Sequence, residues 1–188
     1  MSNYQHVICN AADALSEFSL GNTDDCGPCA LAVAFGAHYS IRPVPSKMGE
    51  ARDREMGKNW FVSHGGINVN NLWRDAKEEL NLPATLVPIG TNQGEIMQRM
   101  HDAVFNKCPV ILNLHAGGSL IHSEPGVVNH FITIVGGDSM LGYLIANGDY
   151  WDGKNVISSP YVPLYWATRQ QILNAWPMGA ITFDTYKP

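Results

Sequence analysis

Asp24-Asp25-Cys26-Gly27-Pro28-Cys29-Ala30-Leu31-Ala32-Val33-Ala34-Phe35 places a thiol where a polar loop turns into an almost wholly apolar segment. Asp24 and Asp25 are good helix N-cap types, and Pro28 suits the first helical turn, where a missing N–H costs no intrahelical bond. The reading puts Cys26 at a helix N-terminus. Unsatisfied N–H groups and the positive end of the helix dipole favour the thiolate there, and the thiolate is the nucleophilic form. From Cys29 to Ala37 every residue is apolar or Gly. Such a helix has no polar face and is expected to run through the interior.

Two other readings compete for this thiol. A cysteine is often a small buried hydrophobe, but the flanking Asp-Asp-Cys-Gly-Pro argues for a polar helix start instead. Cys26-Gly27-Pro28-Cys29 is also a thioredoxin-type tetrapeptide. That chemistry expects a hydrophobic strand before the motif, whereas residues 17–25 (EFSLGNTDD) are polar and turn-like.

The rest of the composition sets bounds. A chain of 188 residues that is 45% hydrophobic and 15% charged is expected to form one domain with a substantial core, spanning residues 1–188. Twelve Lys and Arg against 17 Asp and Glu leave a net charge of −5, which argues against nucleic acid or an anionic membrane as the main partner. No run of 18 apolar residues exists, so no membrane insertion is expected. Residues 1–6 (MSNYQH) lack the basic region and apolar core of a signal peptide. Synthesis in the cytoplasm is therefore expected, with a signal-independent export route left open. Cys9, Cys26, Cys29 and Cys108 are too few and too irregular for a disulfide scaffold. The histidines are scattered, and no second Cys-x-x-Cys accompanies the first, so neither a metal nor another cofactor is expected.

Along the chain, residues 11–18 suggest a short helical turn and residues 41–58 an irregular excursion rich in Pro, Gly and charge. Val69, Leu72, Trp73, Ala76 and Leu80 recur at helical spacing until Asn81-Leu82-Pro83 stops them. Thr85-Leu86-Val87 reads as a strand. Asn92-Gln93-Gly94-Glu95 resembles a capping box ahead of Ile96, Met97, Met100 and Val104, one face of another helix. Val110-Ile111-Leu112-Asn113-Leu114, residues 130–136 (HFITIVG) and residues 143–147 (YLIAN) read as strands. Thr168-x-x-Gln171 caps a last short helix, and residues 180–183 give a final strand. Helices come first and mostly antiparallel strands follow, an α+β layout.

A thiol nucleophile needs a base, and the base needs a group to orient its ring. Of the seven histidines, only His130 opens a clear apolar strand, with a polar, Gly-rich approach before it. The next strand ends in Ala146-Asn147-Gly148-Asp149. Asn147 and Asp149 share parity, so if the strand reaches that far both face the same way and either could accept the His130 ring N–H.

DCGPCALAVAFGAH, followed by NHFITIVGGD and YLIANGD, resembles the papain-like cysteine peptidases of the C39 type, which cleave leader peptides at bacteriocin exporters and also occur as stand-alone bacterial domains. The three segments cover about a sixth of the chain. The resemblance implies a papain-like α+β fold, with a central buried helix carrying Cys26 packed on an antiparallel sheet carrying His130. It implies that Cys26 attacks a carbonyl and that His130 exchanges protons with the thiol and the leaving amine. Asn147 would orient His130, with Asp149 in reserve. The oxyanion hole would use the Cys26 backbone N–H and an upstream amide. The family's Gln, six residues before the cysteine, is Leu20 here, and Asn22 is the nearest amide.

The implied reaction is cleavage of a peptide or amide bond through a thioester, on a peptide or protein substrate, with peptidoglycan peptides as one option. A copy without exporter domains is expected to serve as a toxin, effector, phage lysin or processing enzyme. Gly117 and Gly118, in His115-Ala116-Gly117-Gly118-Ser119, and Trp151 beside Tyr150 are candidate groove walls. Three alternatives stay open. A papain-fold acyltransferase would use the same Cys26 and His130. A thiol-disulfide protein would need Cys29 as much as Cys26. A catalytically silent binding module would keep the fold alone.

Overall fold

The computed structural model describes residues 6–8, 26, 27, 30, 31, 33, 34, 68–79, 81–115, 129–147, 150, 151, 156, 157 and 164–183. The readings on residues 11–18 and 41–58 fall outside them. Strands β1 (His6–Ile8), β2 (Ala84–Val87), β3 (Val110–Leu114), β4 (His130–Asp138), β5 (Gly142–Ala146), β8 (Leu164–Ala167) and β9 (Pro177–Phe183) share one sheet. Its order is β2-β9-β3-β4-β5-β8, every neighbouring pair is antiparallel, and β1 pairs with β4. Strands β6 (Tyr150–Trp151) and β7 (Val156–Ile157) form a separate ribbon.

Helices lie on both faces of this sheet because its strands are apolar on both. In β3, Ile111 belongs to one core cluster, while Val110, Leu112 and Leu114 belong to the other. In β4, Phe131 and Val135 face one way and Ile132 and Ile134 the other, as the two-residue strand period dictates. The cluster of Ile111, Phe131 and Val135 also holds Ala30, Leu31, Val33 and Ala34, all buried and helical. This segment, the cysteine helix, is thus a core helix, as its unbroken apolar run requires. Helix α1 (Val69–Arg74) joins the same face through Val69 and Leu72, starting where the Asn68 side chain accepts from the Asn71 N–H at 3.0 Å. It continues into a π-helical turn, Asp75–Glu79, and Trp73 Nε1 donates to the Ala84 carbonyl at 3.0 Å, tying it to β2.

The opposite face is covered by α2 (Gln93–Phe105), whose Ile96, Met97, Met100 and Val104 are all buried. Burying each such side chain contributes roughly 1.5–3 kcal/mol, so this stripe outweighs the modest helix propensity of the segment. Only half of the expected capping box forms here. Asn92 Oδ1 accepts from the Gly94 N–H at 2.8 Å, while Glu95 turns to Arg99 at 2.7 Å. The box at α3 (Arg169–Asn174) is complete, with Thr168 and Gln171 bonding reciprocally.

The layout is α+β, with one departure from the expected order: β1 precedes every described helix and takes the edge of β4 that β3 leaves beyond Ile134. The β4–β5 turn is closed by Asp138, whose Oδ1 accepts from Met140 N and Leu141 N, and by Gly142 at φ 96. The turn fixes the β4–β5 register and, through it, the positions of His130 and Asn147.

Candidate active site

His130 is the first residue of β4 and is 1% exposed. It follows Asn129, which takes a left-handed conformation (φ 58) that Asn tolerates better than most residues. Asn147 lies immediately after β5 and is 0% exposed. Between them His130 Nε2 and Asn147 Oδ1 are 2.8 Å apart. The amide oxygen can only accept, so Nε2 carries the proton and the neutral ring has its basic lone pair on Nδ1. Asn147 Nδ2 in turn donates to the Tyr165 hydroxyl at 3.2 Å. That bond sets which end of the amide faces His130. Three adjacent strands, β4, β5 and β8, thereby hold the ring in one tautomer and one orientation.

His130 Nδ1 is buried with no hydrogen-bond partner. A buried nitrogen left this way costs about 1–3 kcal/mol. Burial also pushes the His130 pKa below its ordinary 6.5, and the bond to Asn147 pulls it part of the way back. The ring is therefore a neutral base at physiological pH. The unfolded chain takes up a proton near 6.5, whereas the folded chain resists it. Stability from the neutral ring is thus fully present above about pH 6.5 and is lost as pH falls from there through the lowered folded value. The urea midpoint of the wild type should drop between pH 7 and 5 by more than that of His130→Gln. Parallel curves would show that burial does not hold the ring neutral.

Cys26 is helical, half-buried, and a thiol rather than half of a disulfide. It packs against the cluster of Phe131 and Val135. A specific buried bond anchors its helix to the histidine strand: Thr133 Oγ1 donates to the Ala30 carbonyl at 2.8 Å. Cys26 is four residues before Ala30 in sequence. His130 is three residues before Thr133, about 10 Å along β4. The Cys26 helix and the His130 strand are thus locked at one point of contact, although His130 Nδ1 makes no hydrogen bond to the thiol.

Asn22, Gly117, Gly118 and Asp149 lie outside the described residues, as does Cys29. Trp151 lies in β6, opposite Val156. Strand β5 ends at Ala146, one residue before Asn147. Tyr165 and Thr133 were not legible as site residues, since a Tyr or Thr in a strand is an ordinary choice. Asn113 gave a weak signal, a polar residue inside an apolar run. It is buried opposite Phe131 and Gly179, and its Oδ1 has no partner. Among the described residues no group of three or more His, Cys, Asp and Glu could hold a metal ion, and no helix is long and apolar enough to cross a membrane.

A C39-like peptidase from Bacillus anthracis superposes on 98% of this chain and 100% of its own, with a TM-score of 0.60 and 15% identity. The chain has the C39-like fold. A double-glycine motif protease from an AMS/PCAT transporter, solved in complex with its leader peptide, matches over 90% of this chain and 91% of its own, with a TM-score of 0.53 and 14% identity. No protein-family model and no curated protein matches the sequence. The C39-like resemblance therefore rests on shape, and at these identities it assigns the fold alone. The papain-like arrangement expected from the sequence, a buried cysteine helix on an antiparallel sheet that carries His130, is the arrangement of this C39-like chain.

Proposed function

We propose that the protein is a cysteine peptidase or amidase in which Cys26 is the nucleophile, His130 the general base and acid, and Asn147 the group that orients His130. The observation that carries this reading is the buried His130–Asn147 bond, which leaves Nδ1 as the basic nitrogen. The C39-like fold of the two neighbours supports it.

In this reading the thiol proton passes to His130 Nδ1 as sulfur attacks the substrate carbonyl carbon. The C–S bond forms, the C–N bond breaks, and the proton on Nδ1 leaves with the amine. Water then attacks the thioester, giving up its proton to Nδ1 and releasing the acid and the thiol. The Cys26 backbone N–H and the Asn22 amide are proposed to receive the oxyanion. A peptide or protein is the proposed substrate, and the leader peptide bound to one neighbour favours a processing role over that of a toxin, effector or lysin.

The test is covalent capture. Wild type and Cys26→Ala are incubated with peptidyl chloromethyl ketones ending in Gly-Gly, Ala-Ala or Phe-Ala, and adducts are located by intact mass and peptide mapping. One adduct on Cys26, formed faster than on the denatured chain and absent from Cys26→Ala, is expected. Labelling of Cys26 no faster than in urea would rule out an activated nucleophile.

A further inference from the structure

Helix α2 seals the middle of the sheet with Ile96, Met97, Met100 and Val104, but the row beside that stripe, Arg99, Asp102, Ala103 and Asn106, does not close against the strands. Between this row and the edge pair β2–β9 lies a cavity of about 440 Å³, lined from the sheet side by Thr85 and Thr182. The two threonines are direct cross-strand partners. By the two-residue strand period they share the α2 face with Val87 and Ala180. A large apolar side chain at position 103 would fill the gap, as close packing favours. Ala103 and two hydroxyls leave it open.

The lining decides which chemistry fits. Small-molecule sites span roughly 300–1,000 Å³ and are mostly apolar. This cavity has the size, yet most of the residues around it are polar, and two of them carry opposite charges. Arg99 and Asp102 are three residues apart on α2, neighbours on its surface, but each turns to a different partner. Arg99 gives Nε and Nη2 to one oxygen, Glu95 Oε1, at 3.0 and 2.7 Å, which uses two of its five N–H groups. Asp102 Oδ1 accepts from Gln98 Nε2 at 2.8 Å, and a carboxylate has a second oxygen for a further donor. The Arg99–Glu95 pair is half exposed on both sides, so it contributes little and a ligand carboxylate competes with it. The two charges of the lining cancel. A phosphate would meet the Asp102 carboxylate and a polyamine the Arg99 guanidinium, whereas a molecule with one charge of each sign satisfies both.

We propose that this cavity is a binding site for a free α-amino acid, whose carboxylate pairs with Arg99 and whose ammonium pairs with Asp102, beside the Thr85 and Thr182 hydroxyls. The site is remote from the proposed chemistry. Thr182 lies five residues along β9 from Pro177, about 17 Å, and Pro177 shares a row with His130 through Leu114. No residue of the cavity belongs to the set Cys26, His130 and Asn147, so the proposal stands whether or not the chain is a peptidase.

The test titrates the ¹⁵N-labelled full chain with the common α-amino acids one at a time, and with glucose and inorganic phosphate, following amide shifts. At least one amino acid should give saturable shifts at residues 99–108 and Thr182, and glucose and phosphate should give none. The N-acetyl and carboxamide forms of that amino acid, each missing one charge, should bind about 10- to 100-fold more weakly, the usual share of one charged hydrogen bond. Arg99→Gln should erase the discrimination against the carboxamide alone, and Asp102→Asn the discrimination against the N-acetyl form alone. Ala103→Leu keeps a good helix former and fills the cavity, so it should abolish binding. Melting temperatures matching the wild type exclude unfolding, and the two variants on the outer side of α2 decide the matter if Ala103→Leu does not fold. Absence of binding by every amino acid, saturable shifts confined to other residues, binding of glucose or phosphate in place of an amino acid, or charge discrimination that survives Arg99→Gln and Asp102→Asn overturns the proposal.

Discussion

His130→Ala is expected to slow peptide cleavage by about 10²- to 10⁴-fold, the usual contribution of a positioned general acid and base. The argument is local. Nε2 is committed to Asn147 at 2.8 Å, and burial holds the ring neutral, so one lone pair, on Nδ1, remains to take a proton. Alanine removes that lone pair and the later proton donor together. The strand should survive, since its core contacts come from Phe131, Ile132, Ile134 and Val135. The informative measurement is the pH dependence of Cys26 alkylation alongside turnover. In the variant, alkylation below pH 7 should be slower than in the wild type. Alkylation of the variant at wild-type speed below pH 7 would exclude His130 as the base.

Asn147→Ala should have the next largest effect, and it acts on stability and rate together. It strips the acceptor from His130 Nε2 and the donor from the Tyr165 hydroxyl. Leaving the buried His130 Nε2 unsatisfied costs about 1–3 kcal/mol. With its ring released, turnover should fall about 100-fold, as expected for a misplaced catalytic group. Asn147→Asp separates the two effects. The carboxylate still accepts from His130 and can accept from Tyr165, so most stability and activity should return. A negative charge beside the imidazole raises its pKa. The neutral base is then lost at a higher pH, and the acid limb of the rate profile should move upward. Full activity in Asn147→Ala would show that Asn147 does not position the ring.

Some of this was legible because one force dominates locally. The stripe Ile96, Met97, Met100, Val104 specifies a helix whatever surrounds it, and all four are buried. The apolar run from Phe131 to Val135 specifies a strand covered on both faces, and its polar first residue, His130, stands out for the same reason. The apolar run after Cys26 marked a core helix, and Ala30, Leu31, Val33 and Ala34 are buried. Other features depend on contacts distant in sequence. Strand β1 is three residues long and exists because β4 offers an edge. Strand β8, LYWA, has no clean alternation, so Tyr165 gave no hint that its hydroxyl meets Asn147 across the sheet. Trp176 is further still from local rules, since its backbone conformation is one that its residue type disfavours.

The sheet order has a consequence for how the protein comes into being. Strand β9, the last of the described strands in sequence, is inserted between β2 and β3. A growing chain that has already produced Cys26, His130 and Asn147 still has two open strand edges where residues 177–183 will later sit. Open edges invite pairing with other chains, and pairings so distant in sequence close slowly. Closure of the layer that supports the His130 end of the sheet thus waits for β9 to be synthesised. Arrival of β9, rather than of the reactive residues, marks the moment at which the assembled site can exist.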